Sequence, residues 1–110
     1  MSLWADYSRD RLGWETIEEA DGFITYSLAP PNCTIEEFYV APHARGGRTA
    51  KRLADAVVEV AKGSGATFVW GKVIPGTNGA EHAMKTNLHY GFRLIGAENG
   101  KIIMLKEIGG

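Results

Sequence analysis

Residues 34–53 read Thr34-Ile35-Glu36-Glu37-Phe38-Tyr39-Val40-Ala41-Pro42-His43-Ala44-Arg45-Gly46-Gly47-Arg48-Thr49-Ala50-Lys51-Arg52-Leu53 and change character twice. Ile35 to Val40 is apolar, β-branched and aromatic around two glutamates, the composition of a strand, and it stops at Pro42. A loop with Arg45, Gly46, Gly47 and Arg48 follows, and then the spacing becomes helical. Strand, basic glycine loop and helix N-terminus in that order make a place for a phosphate group. Glycine lets the backbone come close, the N–H groups of the first helical turn lack partners within the helix, and the helix dipole adds positive potential. Arg45 and Arg48 supply ion-pairing charge.

The helix after the loop places Ala50, Leu53, Ala54, Val57 and Ala61 on one face and Lys51, Arg52, Asp55, Glu59 and Lys62 on the other, and Gly63 and Gly65 end it. Thr67 to Ile74 reads as a fourth strand whose apolar content predicts burial on both faces. With the strand before the helix it forms a βαβ unit, so the third and fourth strands run parallel through a right-handed crossover. Upstream, residues 3–12 carry a weak helical pattern ending at Gly13. Trp14 to Glu19 and Phe23 to Leu28 are strands joined at Ala20-Asp21-Gly22, and Pro30-Pro31-Asn32 leads into the third strand, Thr34 to Val40. Downstream, Pro75 to Gly79 is a loop. A helix over Ala80 to Tyr90 follows, with Ala80, Ala83, Met84, Asn87 and Leu88 on one face. Phe92 to Ile95 and Ile102 to Lys106 close the chain as a hairpin around Glu98-Asn99-Gly100. The fold class is α/β (α+β): an antiparallel meander, a parallel pair and flanking helices in one domain, residues 1–110.

The chain has 110 residues and a net charge of −1, which argues against general nucleic-acid binding despite the local cluster Arg45, Arg48, Lys51 and Arg52. Cys33 is the single cysteine, which excludes an internal disulfide and fits a reducing compartment. His43, His82 and His89 lack metal-ligand spacing, so no metal is expected. No run approaches the ~20 apolar residues of a membrane span, and the N-terminal charges do not suit a signal peptide, so a cytoplasmic location is expected with no membrane partner.

The element order and the loop together resemble the GNAT superfamily of acyl-CoA-dependent N-acyltransferases, and among its members the short, often phage-encoded ones. Ile35-Glu36-Glu37-Phe38-Tyr39-Val40-Ala41-Pro42 is similar to the family's third-strand pattern. Arg45-Gly46-Gly47-Arg48-Thr49-Ala50, with Leu53 three residues on, is similar to its pyrophosphate loop. Tyr90-Gly91-Phe92-Arg93 is similar to its passage from helix to strand. The resemblance implies a mixed sheet whose third and fourth strands splay apart. It implies that the backbone of Phe38, Tyr39 and Val40 pairs with the pantetheine arm of acetyl-CoA or another acyl-CoA. It further implies that Arg45, Gly46, Gly47, Arg48, Thr49 and Ala50 hold the pyrophosphate. The implied reaction is aminolysis of a thioester by a primary amine.

Three departures stand beside these matches. Arg48 occupies the family's middle loop glycine. Asn87 occupies the place of a tyrosine that protonates coenzyme A; the nearest phenol, Tyr90, is a candidate acid but is rotated about 300° from Asn87 at 3.6 residues per turn. The fourth strand carries no glutamate. Because strand side chains alternate, Glu36 and Glu37 are expected on opposite faces, one solvated and the other a base or an edge charge, with Glu37 ahead because it shares parity with Tyr39. Asn78 either touches the cofactor or forms an Asn-Gly turn. Against the family's pattern the chain lacks the first strand and one of the helices that usually wall the acceptor site, so either a partner subunit completes that wall or the acceptor is large and binds an open groove; a homodimer is favoured because exposed strand edges and surface tryptophans need covering. The amine acceptor is not specified. The competing class is a non-catalytic binding or structural module on the same scaffold, of the kind a phage particle would carry; a generic nucleotide-binding domain is disfavoured because no Lys-Ser/Thr follows the loop.

Overall fold

A computed structural model describes residues 2–109. The elements follow the anticipated order. Ser2 caps α1 (Leu3–Tyr7) by accepting the Ala5 N–H, and the helix continues as a π turn over Ser8–Leu12 until Gly13, at φ 71°, ends it. Strands β1 (Glu15–Glu19), β2 (Gly22–Ala29), β3 (Asn32–Val40), β4 (Phe68–Val73), β5 (Arg93–Glu98) and β6 (Lys101–Glu107) form one sheet of order β1-β2-β3-β4-β6-β5. Among the described residues only β3 and β4 pair in parallel, joined by α2 (Thr49–Gly63); α3 (Ala80–Tyr90) connects β4 to β5.

The closing hairpin is longer than its apolar pattern indicates. Asn99 and Gly100 both have positive φ, 52° and 75°, as a two-residue turn of type I′ requires, so pairing runs up to Glu98 opposite Lys101. Gly22 is required by crowding: a Cβ there would come 2.5 Å from the Tyr39 carbonyl oxygen.

Both long helices cover one face of the sheet. From α2, Thr49, Leu53, Ala54, Val57 and Ala61 are buried, with Leu53 and Val57 meeting Ile24, Val69 and Met104 in the core. Ala80, Ala83, Met84 and Tyr90 of α3 pack against the same core, but Leu88 does not. It follows Asn87 by about 100° around the helix, enough to turn it outward, so its predicted place on the packing face is corrected. Burial of β4 on both faces is corrected too. Val69, Gly71 and Val73 are buried beneath the helices, while Phe68 and Trp70 are half-buried and Lys72 is exposed on the other face. That second face is covered only in part, by α1, whose Trp4 ring lies 6.1 Å from Phe23 and donates to Thr25 Oγ1 at 3.1 Å.

Candidate active site

The site begins where β3 and β4 separate. They pair only at Asn32–Phe68, Cys33–Val69 and Thr34–Trp70, although β3 continues to Val40 and β4 to Val73. A β-bulge marks the parting. Tyr26 opposes Ile35 and Thr25 opposes Glu37, so Glu36 is an extra residue without a partner on β2, and the strand bends there. On β3's other edge, the Ala41 N–H donates to Asp21 and the Tyr39 carbonyl faces Gly22. The backbone of Tyr39 therefore points to β2, and the alternate residues Phe38 and Val40 present theirs to the slot. The expectation for Tyr39 is corrected accordingly: its backbone is taken, and it contributes a ring to the far face instead. The Val40 carbonyl is also taken, accepting from Arg45 Nε at 2.9 Å.

At the slot's open end the chain passes through a 3₁₀ turn, Pro42–Ala44, into the glycine loop. His43 Nε2 sits 3.0 Å from Asp21 Oδ1 and ties this turn to the β1–β2 hairpin. Gly46 takes the loop's positive φ, 84°, and a Cβ there would meet nothing within 4 Å. Arg48 has ordinary right-handed geometry, φ −98° and ψ −5°, which any residue adopts. That is why an arginine is tolerated where the family pattern has glycine. Arg48 is the N-cap of α2 and gives no side-chain cap, so the N–H groups of Arg48, Thr49, Ala50 and Lys51 precede the first helical bond, Arg52 N–H to the Arg48 carbonyl.

Of the four clustered bases, two are already neutralised. Lys51 pairs with Asp55 at 2.8 Å and Arg52 with Glu19 at 2.6 Å. Arg45 meets no carboxylate and lies over the Tyr39 ring at 5.8 Å, and Arg48 has no hydrogen bond or ion pair among the described residues. An uncapped helix start between two exposed guanidinium groups suits a diphosphate.

The two glutamates share a face, which corrects the expected alternation. Glu37 opposes Thr25, and Glu36 accepts from Ser27 Oγ at 2.8 Å, both on the face away from α2. The bulge inserts one residue and so removes the alternation between them. Glu36 is committed: its side chain is 13% exposed and pairs with Lys72 of β4 at 3.1 Å, bridging the strands where they part. Its catalytic assignment is replaced by a positioning one. Glu37 is exposed and has no hydrogen bond or ion pair among the described residues. Sequence reading overlooked Lys72, whose signal was a lone lysine within the apolar run Phe68–Val73.

Tyr90 also proves to be committed. Its hydroxyl donates to Asp55 Oδ1 at 2.5 Å, Lys106 Nζ lies 5.2 Å above its ring and donates to its carbonyl, and burial together with the Asp55 carboxylate pushes the phenol's pKa well up. It pins the end of α3 to α2 on the face opposite Glu37, so its candidacy as an acid is corrected. Asn87 donates to Met104 Sδ at 3.6 Å, against the sheet. Asn78 lines an open depression with Thr77, Glu81, His82 and Lys85, to which no residue of the glycine loop contributes.

The sequence profile of the acetyltransferase (GNAT) family matches residues 2–90. The chain belongs to this family. Among solved structures, this GNAT protein is similar to the PaiA N-acetyltransferase of Thermoplasma acidophilum in complex with coenzyme A, with a TM-score of 0.77 and 16% identity over 93% of this chain and 65% of that one. It is similar to the IAA acetyltransferase of Bacillus cereus, with a TM-score of 0.72 and 21% identity over 96% of this chain and 88% of that one. Nourseothricin acetyltransferase gives a TM-score of 0.67 and 27% identity over 80% of this chain and 58% of that one. The chain thus spans just under two thirds of the length of the Thermoplasma protein. A comparison with curated proteins finds no match. The six-stranded mixed sheet with its parallel β3–β4 pair and three helices is the fold of these GNAT neighbours.

Proposed function

We propose that this GNAT protein transfers an acetyl group from acetyl-CoA to a primary amine by direct attack. The observation that carries this reading is the continuity of slot and cradle. The backbone of Phe38 and the N–H of Val40, unpaired with β4, lead directly to the uncapped start of α2, flanked by Arg45 and Arg48. An extended, amide-bearing arm fits the slot as an added strand would, and a diphosphate fits the N–H groups and guanidinium charge at its end.

In the transfer, the Glu37 carboxylate takes a proton from the acceptor ammonium. The freed nitrogen forms a bond to the acyl carbon, the carbon–sulfur bond breaks with its electron pair on sulfur, and the nitrogen gives up its surplus proton to water. Water supplies the proton to the thiolate, because Asn87 has none to give and the Tyr90 hydroxyl is held by Asp55 on the other face. These two residues also favour a second reading, a module that binds acyl-CoA without turning it over.

Release of free thiol from acetyl-CoA in the presence of an amine panel tests the first reading. Glu37→Gln should lower kcat by about 10²-fold or more. An unchanged kcat would remove Glu37 from the role, and binding of acetyl-CoA with no thiol release from any amine would favour the second reading.

A further inference from the structure

The face of the sheet that carries Glu37 also carries a row of aromatic rings. Tyr7 and Trp4 of α1 lie 6.1 Å apart, Trp4 and Phe23 of β2 6.1 Å, and Phe23 and Tyr39 of β3 6.0 Å. The two ends of the row are open, Tyr7 at 52% and Tyr39 at 47% exposure, while Trp4 and Phe23 form its half-buried floor. Glu37 lies two residues from Tyr39 on the same side of β3. Among the described carboxylates of this face, Glu36 is paired with Lys72, Glu18 with Ser2 and Glu107 with Arg93; Glu98, on the edge strand β5, and Glu37, at the bulge, have no hydrogen bond or ion pair, and of these two only Glu37 adjoins the slot. Tyr39 already holds a cation on its ring, the Arg45 guanidinium.

Resting on the acetyl-transfer reading, we infer that the acceptor is a small primary amine carried on an aromatic body, an arylalkylamine. Its ring stacks on the Tyr7–Trp4–Phe23–Tyr39 row, and its ammonium meets the free Glu37 carboxylate beside the slot. The aromatic faces favour both the flat ring and the cation, and the unpaired carboxylate beside the slot sets where the charge sits. A polyamine offers the ring row only its ammonium charges, and a lysine side chain adds only an alkyl stem, so neither gains the ring-on-ring contact.

The experiment compares kcat/KM, by thiol release from acetyl-CoA, for phenethylamine, hexylamine, spermidine and a lysine-containing peptide. Phenethylamine should exceed hexylamine by about tenfold. Tyr7→Ala, and separately Tyr39→Leu, should bring that ratio close to one, chiefly through KM. Quenching of tryptophan fluorescence by phenethylamine in the presence of coenzyme A reads the same site without turnover, and Glu37→Gln should weaken it several-fold. A preference for hexylamine, spermidine or the peptide, or a ratio unmoved by both variants, overturns the inference. Acetyl-CoA affinity, measured in parallel by calorimetry, separates the failures: loss of that affinity sinks the transfer reading itself, whereas retained affinity with the wrong amine preference sinks only the aromatic acceptor.

Discussion

Replacing Lys72 with methionine tests the claim that an ion pair fixes the shape of the slot. Lys72 Nζ lies 3.1 Å from Glu36 Oε1, with side chains 31% and 13% exposed. At that separation the gross attraction is about 1.3 kcal/mol if the pair felt bulk water and about 5 kcal/mol at an effective dielectric of 20. Desolvation and the ordering of the lysine offset most of the larger figure, and water reaching Lys72 screens the pair further. Glu36 keeps its bond from Ser27, so the carboxylate is not left wholly uncompensated. The net loss of stability for Lys72→Met should be about 1–2 kcal/mol, lying between surface and buried pairs. For a domain of this size that is a fall in Tm of roughly 4–9 °C. The assay is a double-mutant cycle with Glu36→Gln, read by urea denaturation, and the coupling energy should be at least about 1 kcal/mol. Additive single mutants, or a Lys72→Met variant as stable as the parent, would show that the pair does not tie β3 to β4.

Two further outcomes concern the core. Ser8 Oγ is wholly buried in the π turn with no hydrogen-bond partner among the described residues, so Ser8→Ala should raise stability by about 1 kcal/mol in chemical denaturation; a loss instead would mean that the hydroxyl is satisfied by water. Burial pushes the Cys33 thiol up from 9.0 to about 11, so the folded state holds its proton where the unfolded chain loses it. The associated stability is complete below about pH 9 and lost as the pH rises towards about 11, by roughly 2–3 kcal/mol in all. Tyr26 and Tyr90 are also raised and act in the same direction. The difference between the parent and Cys33→Ala over this range isolates the thiol, and parallel curves for the two would refute its part.

Most of the architecture was legible because local signals agreed with one another. The Asn99-Gly100 turn, the glycine loop and the 3.6-residue period of α2 each demand one backbone shape, and the βαβ rule then sets β3 and β4 parallel. The place of β6 between β4 and β5 had no local signal, since strand order is settled by long-range pairing. The carboxylates were misplaced for a different reason. Alternation is a rule of regular strands, and the bulge at Glu36 is created by the register with β2, which the residues of β3 alone do not reveal. Tyr90 was close in sequence to the family's acid position, but its partner Asp55 lies on another helix, so only the packed structure shows the phenol to be engaged. The loop and helix start before α2 were the most legible part of the chain's local geometry, because a glycine loop before a helix determines its own shape.

Isothermal titration with coenzyme A, on the parent and on Arg48→Glu, addresses the cradle at the start of α2 most directly. The parent should bind one equivalent with an affinity that falls as salt rises, and the charge reversal should weaken it by about tenfold or more. No heat of binding at high protein concentration, or an affinity untouched by reversing Arg48, would contradict the assignment of this helix start as the diphosphate site.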